Sequence, residues 1–474
     1  MPNAKIILSF TLLLLLISPA QAQKAWTLEE CISHAHQNNL NIKLQEINVQ
    51  TAKINLTEAR MQPLPSLNAT VNQGYNFGRS IDPFTNQFVV SSLSNSRASL
   101  STGITLFNGF QIYNNMQSRK HLFTASKFDL EVSKNDLGLN IANAYLQVLF
   151  AKELVKSNEA RLQSSEVQLQ TQQKFKEAGR VAENAVLDME AQVANDKLNL
   201  VNAQNQLTMA NLSLFQFLDL NPDSNQVAVP ALDSIPDAGV FSADQLYTAY
   251  VQYAPELKAA NARLESGIYS LRAARGAYYP RLLLGADINT VYSESNLQRS
   301  SSVLGYSRLY DANGNVISTV PVNTFTSDGV TPFSRQLSDN LGQTVGFSLS
   351  IPIFNNYRTL ASVKRAHLSY ESTRINSLLT ENTLKRQITQ AYTEYTAAKS
   401  RYTASKQSMD AQKASLDNAA KRLAANLIST ADYRVLQSNY EVAETNYIQA
   451  KYELMFRYKI IDFYKHGSIK APNE

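Results

Sequence analysis

The chain of 474 residues has one cysteine, Cys31, which excludes an intrachain disulfide. Beyond the N-terminal leader no stretch approaches the ~18 consecutive apolar residues of a membrane-spanning helix, so a membrane role would have to come from strands. Glycine (16) and proline (14) are sparse for the length, while Ala, Leu, Gln, Asn and Ser are abundant. That balance suits long helices with polar faces. Acids and bases interleave to a net charge of +5 with no basic run, which argues against a nucleic-acid partner. Five histidines are present. His34 and His36 are two apart and cannot share a helix face. His121, His367 and His466 have no acid or cysteine at ligand spacing. With no phosphate loop, zinc signature or nucleophile motif, the chain reads as a non-enzyme without a cofactor.

The first residues do form a pattern. Lys5 gives a charged start, Ile6 to Ile17 an apolar run, and Ala20-Gln21-Ala22 a small-x-small site. Residues 1–22 are therefore expected to be a secretory signal peptide, the run being too short for a bilayer. Cys31 does not follow the cleavage site, so no lipid anchor is expected there; it reads as a small buried residue.

The rest of the chain repeats itself. "EARMQPLPSLNA", from Glu58, returns as "RAARGAYYPRLLLGA", from Arg272: Ala59-Arg60, Pro65 and Leu67 match Ala274-Arg275, Pro280 and Leu282, each 215 residues later. Thr27-Leu-Glu-Glu30 is a capping box, echoed by Ser242-Ala-Asp-Gln245. Each half is expected to open with one helix, 27–62 and 242–278. After the proline corner the period becomes two, which marks strands at 66–76 and 281–292. A second pair is expected at 97–107 and 341–354, where Leu106-Phe107-Asn108 matches Ile353-Phe354-Asn355 with the spacing now 247. One face of the last strand carries Phe347, Leu349 and Ile351, the other Gly346, Ser348 and Ser350. The intervening 76–96 and 293–340 read as loops, with a turn at Asn313-Gly314.

Helical hairpins follow at 110–220 and 357–464. Leu137, Ile141, Ala144, Tyr145, Val148 and Leu149 keep one face apolar. The interior turns fall at Gly179 and, at the same 247 spacing, Asn426, the two residue types that tolerate a left-handed conformation. As helix, the long arm spans about 105 Å, and the return arm and opening helix together roughly match it. The domain plan is thus a first repeat 23–220, a linker 221–241, a second repeat 242–464 and a tail 465–474.

Four strands of about 11 residues have bilayer-crossing length but cannot close a barrel, and lipid forbids open edges. Either the hairpins are soluble or several chains pool their strands.

The duplicated order helix, strand, strand, helical hairpin resembles the TolC-like outer-membrane efflux proteins. The matching residues are Ala59, Arg60, Pro65 and Leu67 with their second copy; "LSIPIFNN" from Leu349 with its partner "GITLFNGF" from Gly103; and the tips at Gly179 and Asn426. "NFGRSIDPFTNQF" resembles a loop of Bacteroidetes members. The resemblance implies a mainly α protein with membrane β, whose trimer forms a twelve-stranded β-barrel in the outer membrane lipid. A long periplasmic α-helical barrel continues it. It implies an exit duct for efflux or type I secretion, docked to a periplasmic adaptor and an inner-membrane pump. The adaptor would meet Gly179, Arg180, Val181, Asn426, Leu427 and Ile428; read as turns alone, these are ordinary αα connections. Asp432 matches an acid that rings the periplasmic entrance in some members, with Val435 where a second acid would stand; a solvated helix aspartate is the plain alternative. Phe347, Leu349 and Ile351 would face lipid. A non-channel periplasmic scaffold of helical hairpins is the competing class.

Overall fold

A computed structural model of the chain describes residues 25–81, 86, 88–90, 93–221, 226–228, 239, 241–425 and 427–467. The expected signal peptide, 1–22, lies outside them. The described residues fall into two compact units: those within 25–53, 121–264 and 372–467 form one, those within 54–120 and 265–371 the other. Each draws on both sequence halves, so the repeat boundary is not a unit boundary.

The first unit opens with β1 (Ala25–Trp26) and α1 (Leu28–Asn38), capped by the reciprocal Thr27–Glu30 box. The single opening helix expected over 27–62 is two. Asn39 is extended at φ −60°, ψ 129°, and α2 (Leu40–Met61) starts after it. Asn39 accepts from the Asn41 N–H at 2.9 Å, capping α2, and donates to the Phe217 carbonyl at 3.0 Å. The second half breaks at the same place. The helix expected over 242–278 is α5 (Ala243–Val251) and α6 (Pro255–Gly276), where Pro255 supplies the N1 position. The linker is tied down by β6 (Gln226–Val227), parallel to β1. Tyr145 donates to the Ala228 carbonyl at 2.6 Å and Lys152 to the Val227 carbonyl at 2.7 Å.

Two long hairpins, α3 (Gln111–Glu177) with α4 (Glu183–Leu218) and α8 (Arg358–Ala424) with α9 (Thr430–His466), supply the rest of this unit from residues 121 and 372 onward, the first turns of α3 and α8 belonging to the second unit. The expected tail thus begins inside α9. Two buried cores repeat one another. Cys31, Ala35, Leu137, Ile141, Val148 and Leu214 in one correspond to Leu246, Tyr250, Leu384, Ile388, Tyr395 and Ile461 in the other. The apolar stripe of the long arm faces these cores, which is why so polar a helix stays packed.

In the second unit β2 (Ser66–Asn76) and β5 (Leu93–Phe107) pair antiparallel, as do β7 (Arg281–Ser293) and β10 (Gly342–Ser350). The sheet order is β10-β7-β5-β2. The strand expected over 341–354 is shorter because Pro352 has no N–H to donate. Neither interval is a plain loop. β3 (Arg79–Ile81) pairs β4 (Phe88–Val90), the residues 82–85, 87 and 91–92 around them lying outside those described. β8 (Leu297–Tyr310) pairs β9 (Val316–Val330) around the anticipated turn, Gly314 at φ +84°, and α7 (Phe333–Asp339) follows. No helix among the described residues is long and apolar enough to cross a membrane.

Both strand-to-helix corners hold two successive left-handed residues: Gly109 (φ +65°) with Phe110 (+62°), and Asn356 (+52°) with Tyr357 (+66°). Gly109 is also crowded. A Cβ there would lie 2.2 Å from the Gly276 carbonyl oxygen and 2.9 Å from Tyr279 Cβ, whereas one at Gly179 meets nothing within 4 Å. Gly109→Ala is therefore expected to cost about 2–4 kcal/mol, from overpacking added to left-handed strain, and Gly179→Ala about 1 kcal/mol from strain alone. Apparent unfolding midpoints of the two variants in detergent test this; equal shifts contradict it.

Candidate functional site

Three features of the fold carry the expected site residues: the hairpin tips, the helix surfaces behind them, and the edge strands of the sheet.

The first tip closes as a Schellman turn. Gly179 takes φ +68°, its N–H reaches the Lys176 carbonyl at 2.8 Å, and the Arg180 N–H reaches the Phe175 carbonyl at 2.8 Å. The Arg180 guanidinium lies 5.1 Å over the Phe175 ring. Val181 is half-buried. At the second tip the Leu427 N–H reaches the Arg422 carbonyl at 2.8 Å, the same closure 247 residues on. Asn426 lies outside the described residues. Leu427 is exposed and Ile428 half-buried.

Asp432 sits in the first turn of α9 with an exposed side chain. Its N–H donates to Ser429 Oγ at 3.1 Å, and its carboxylate accepts from that hydroxyl at 2.7 Å. Helix N-termini favour negative charge, so a local reason exists for an acid here. The first-half counterpart, Ala182 followed by Ala185, has no side-chain cap.

Behind the tips a polar network joins the two hairpins. Arg434 on α9 donates to the Asp188 carbonyl and to Gln192 Oε1 of α4, both at 2.9 Å. Deeper in, Arg161 of α3 meets Glu444 of α9 at 2.7 Å. Glu444 also accepts from Ser157 at 2.7 Å and from Tyr440 at 2.8 Å. Burial alone would raise the Glu444 carboxyl, but these donors, Arg161 first among them, outweigh it and hold it below the usual range. Glu441, one turn earlier, is pushed up instead. Burial is the largest cause; Arg161 and Gln437 oppose it, and Asp196 and Glu444 add to it. Asp196 is buried at 2 % exposure and accepts from Gln192 at 3.0 Å. The sequence carries no local sign of this network, because its members come from separate helices. His34 and His36 engage different backbone carbonyls, Leu218 at 3.2 Å and Lys134 at 3.1 Å, and so act as separate ties rather than as a pair.

On β10, Phe347 and Leu349 are 71 % and 60 % exposed, and Ile351, just past the strand end, 59 %. Gly346, Ser348 and Ser350 on the opposite face are exposed as well. β2 is exposed along most of its length too. Among the described residues of one chain, then, nothing pairs with either edge of the sheet, and much of both faces is exposed.

A chain in which helix, strand, strand and helical hairpin occur twice, the four strands forming one sheet, has a TolC-like fold. The chain belongs to the outer membrane efflux protein family, whose model matches residues 31–219 and 246–456, one match per half. It is similar to the pyoverdine export outer membrane protein OpmQ of Pseudomonas aeruginosa, at 24% identity over 274 residues, 56% of each chain. The chain thus matches little more than half the length of this curated relative. The solved structure of CusC superposes with a TM-score of 0.74 at 14% identity, covering 92% of this chain and 91% of that one. The Campylobacter jejuni CmeC outer membrane channel gives 0.73 at 18% identity, over 94% and 87%. At such identities the likeness is one of fold.

The Glu441 shift has a sign that can be measured. A carboxyl raised in the fold binds its proton more tightly there than in the unfolded chain. Its stabilising contribution is present below the unfolded value and lost as pH rises through the folded one. Glu441→Gln is therefore expected to raise the apparent unfolding temperature at about pH 7.5 and to leave it nearly unchanged at about pH 4. Equal shifts at both pH values contradict that reading.

Proposed function

We propose that three copies of this chain pool their strands into a twelve-stranded outer-membrane barrel, continued into the periplasm by their helical hairpins. The assembly serves as the exit duct of a tripartite efflux or type I secretion system. One observation carries this: in a member of the outer membrane efflux protein family, a four-stranded sheet is open at both edges and exposed on both faces. In lipid an unpaired strand edge is prohibitively costly, so such a sheet needs partner edges. The alternation on β10 supports a lipid-facing side with Phe347, Leu349 and Ile351 and a lumen side with Gly346, Ser348 and Ser350. In this reading residues 1–22 direct export. The tips at Gly179–Val181 and at Asn426, Leu427 and Ile428 meet a periplasmic adaptor that links the duct to an inner-membrane pump. Small molecules or proteins are the cargo.

Two experiments test it. Single cysteines at 346, 348 and 350, in a Cys31→Ala background in native membranes, are expected to react with a water-soluble maleimide. Those at 347, 349 and 351 are expected to be protected. Uniform reactivity favours a soluble hairpin scaffold and sinks the barrel. At the entrance, a ring of three Asp432 carboxylates would favour cations. Asp432→Asn keeps a side-chain oxygen for the cap but removes the charge. It is expected to lower cation preference and weaken block by multivalent cations in planar-bilayer recordings; unchanged selectivity returns Asp432 to capping alone.

A further inference from the structure

The junction between two copies has a counterpart already present inside one chain. Ser66 of β2 pairs with Gly103 of β5. Moving the first by 215 residues and the second by 247 gives Arg281 and Ser350, which pair in the second hairpin. Every pair of the β10·β7 ladder follows from the β2·β5 ladder by the same two shifts. The packing follows too, with roles exchanged: Gly74 lies against Asn95, and Gly342 against Asn289, a Cβ at either glycine meeting the asparagine Oδ1 at 3.1 Å. The halves are therefore equivalent to the single residue.

The halves join where β5 pairs with β7, and this joint is internal: Ser99 with Asn289, Ser101 with Asp287, Gly103 with Gly285. The outer edges, β10 and β2, are the same strands one repeat further on. From this we infer that β10 of one copy pairs antiparallel with β2 of the next in one fixed register: Gly346 opposite Gly74, Ser348 opposite Asn72, Ser350 opposite Thr70. The occupant of the free edge is thus a second copy of this chain, an identification that rests on the multi-copy assembly proposed above.

The register agrees with side-chain chemistry that played no part in deriving it. Its alternate pairs are Val345 with Tyr75, Phe347 with Gln73 and Leu349 with Val71, mostly apolar, while Gly346, Ser348 and Ser350 meet only small or polar residues. A slip of one residue would put Leu349 across from Asn72 or Thr70 and mix the faces. The internal ladder is irregular between Thr105 and Phe107. Pro352, which can donate nothing, corresponds to Thr105, so the ladder between copies ends at Ile351. At the corner the equivalence stops. The internal contact presses Gly109 on Gly276, but the corresponding residues are Asn356 and Met61, whose side chains need room. A cavity of about 690 Å³ bordered by Met61, Leu64, Glu58 and Arg119 lies at that place.

Paired cysteines test the register. In a Cys31→Ala background, Ser348→Cys is combined with Asn72→Cys, and Leu349→Cys with Val71→Cys, one pair on each face. The shifted controls combine Ser348→Cys with Thr70→Cys and Leu349→Cys with Ala69→Cys. All substituted sites are on exposed or edge positions, and native mass spectrometry first establishes the copy number of each variant. After mild oxidation in membranes, at least one in-register pair is expected to give disulfide-linked multimers on non-reducing gels, and the controls none. Multimers from the shifted pairs alone, in a protein that is still multi-copy, overturn the register while the assembly stands. A single-copy particle overturns both.

Discussion

Everything in this molecule answers to the unpaired backbone at the two edges of a four-stranded sheet. Each outward N–H and C=O on β2 and β10 must find a partner or remain in water, because the hydrocarbon interior offers neither donor nor acceptor. Four strands of this length cannot curl far enough to satisfy their own edges. A chain that presents such a sheet to lipid is incomplete alone, and in the assembly we propose copies of itself would supply the complementary edges. The shared register of the two internal hairpins makes this possible, since equivalent strands present equivalent rows of groups.

Duplication serves the helical unit in the same way. The two buried cores use corresponding positions with different residues, Cys31 for Leu246 and Ala35 for Tyr250, so each half packs its own short helix against its own long hairpin. Between the hairpins the contacts near the tips turn polar, with Arg161, Glu444 and Arg434 reaching across helices. Such contacts depend on exact geometry and lose more than apolar ones when a partner moves.

What could be read in the sequence was what repeats or has a period. The alternation after Pro65 placed β2 over 66–76 without error, Gly179 sits in the left-handed turn, both capping boxes form, and Cys31 is fully buried. The break at Asn39 was hidden because an asparagine inside a helical pattern looks like any polar face residue; its side chain caps α2 through the Asn41 N–H and is tied to the Phe217 carbonyl, 178 residues away, which no local pattern shows. Pro255 did mark the matching break, but a helical pattern on either side masked it. The β8·β9 hairpin was missed because its Ser, Thr, Asn and Asp content reads as loop, whereas a two-stranded ribbon needs only cross-strand pairing and a turn. At the candidate site the tips were legible from glycine and spacing. The network of Arg161, Asp196, Glu441 and Glu444 was not, since it exists only once three helices are packed. Asp432 was visible as a charge, but its bond to Ser429 gives it a local purpose that charge alone does not reveal.

The central claim is that the edges of the sheet are paired in the membrane, and backbone amide exchange measures that directly. In lipid, the outward-pointing amides of β2 and β10 are predicted to exchange as slowly as those of β5 and β7, which are paired on both sides within the chain. Fast exchange along β2 and β10, with β5 and β7 protected, would show four strands standing alone with open edges and would contradict the account.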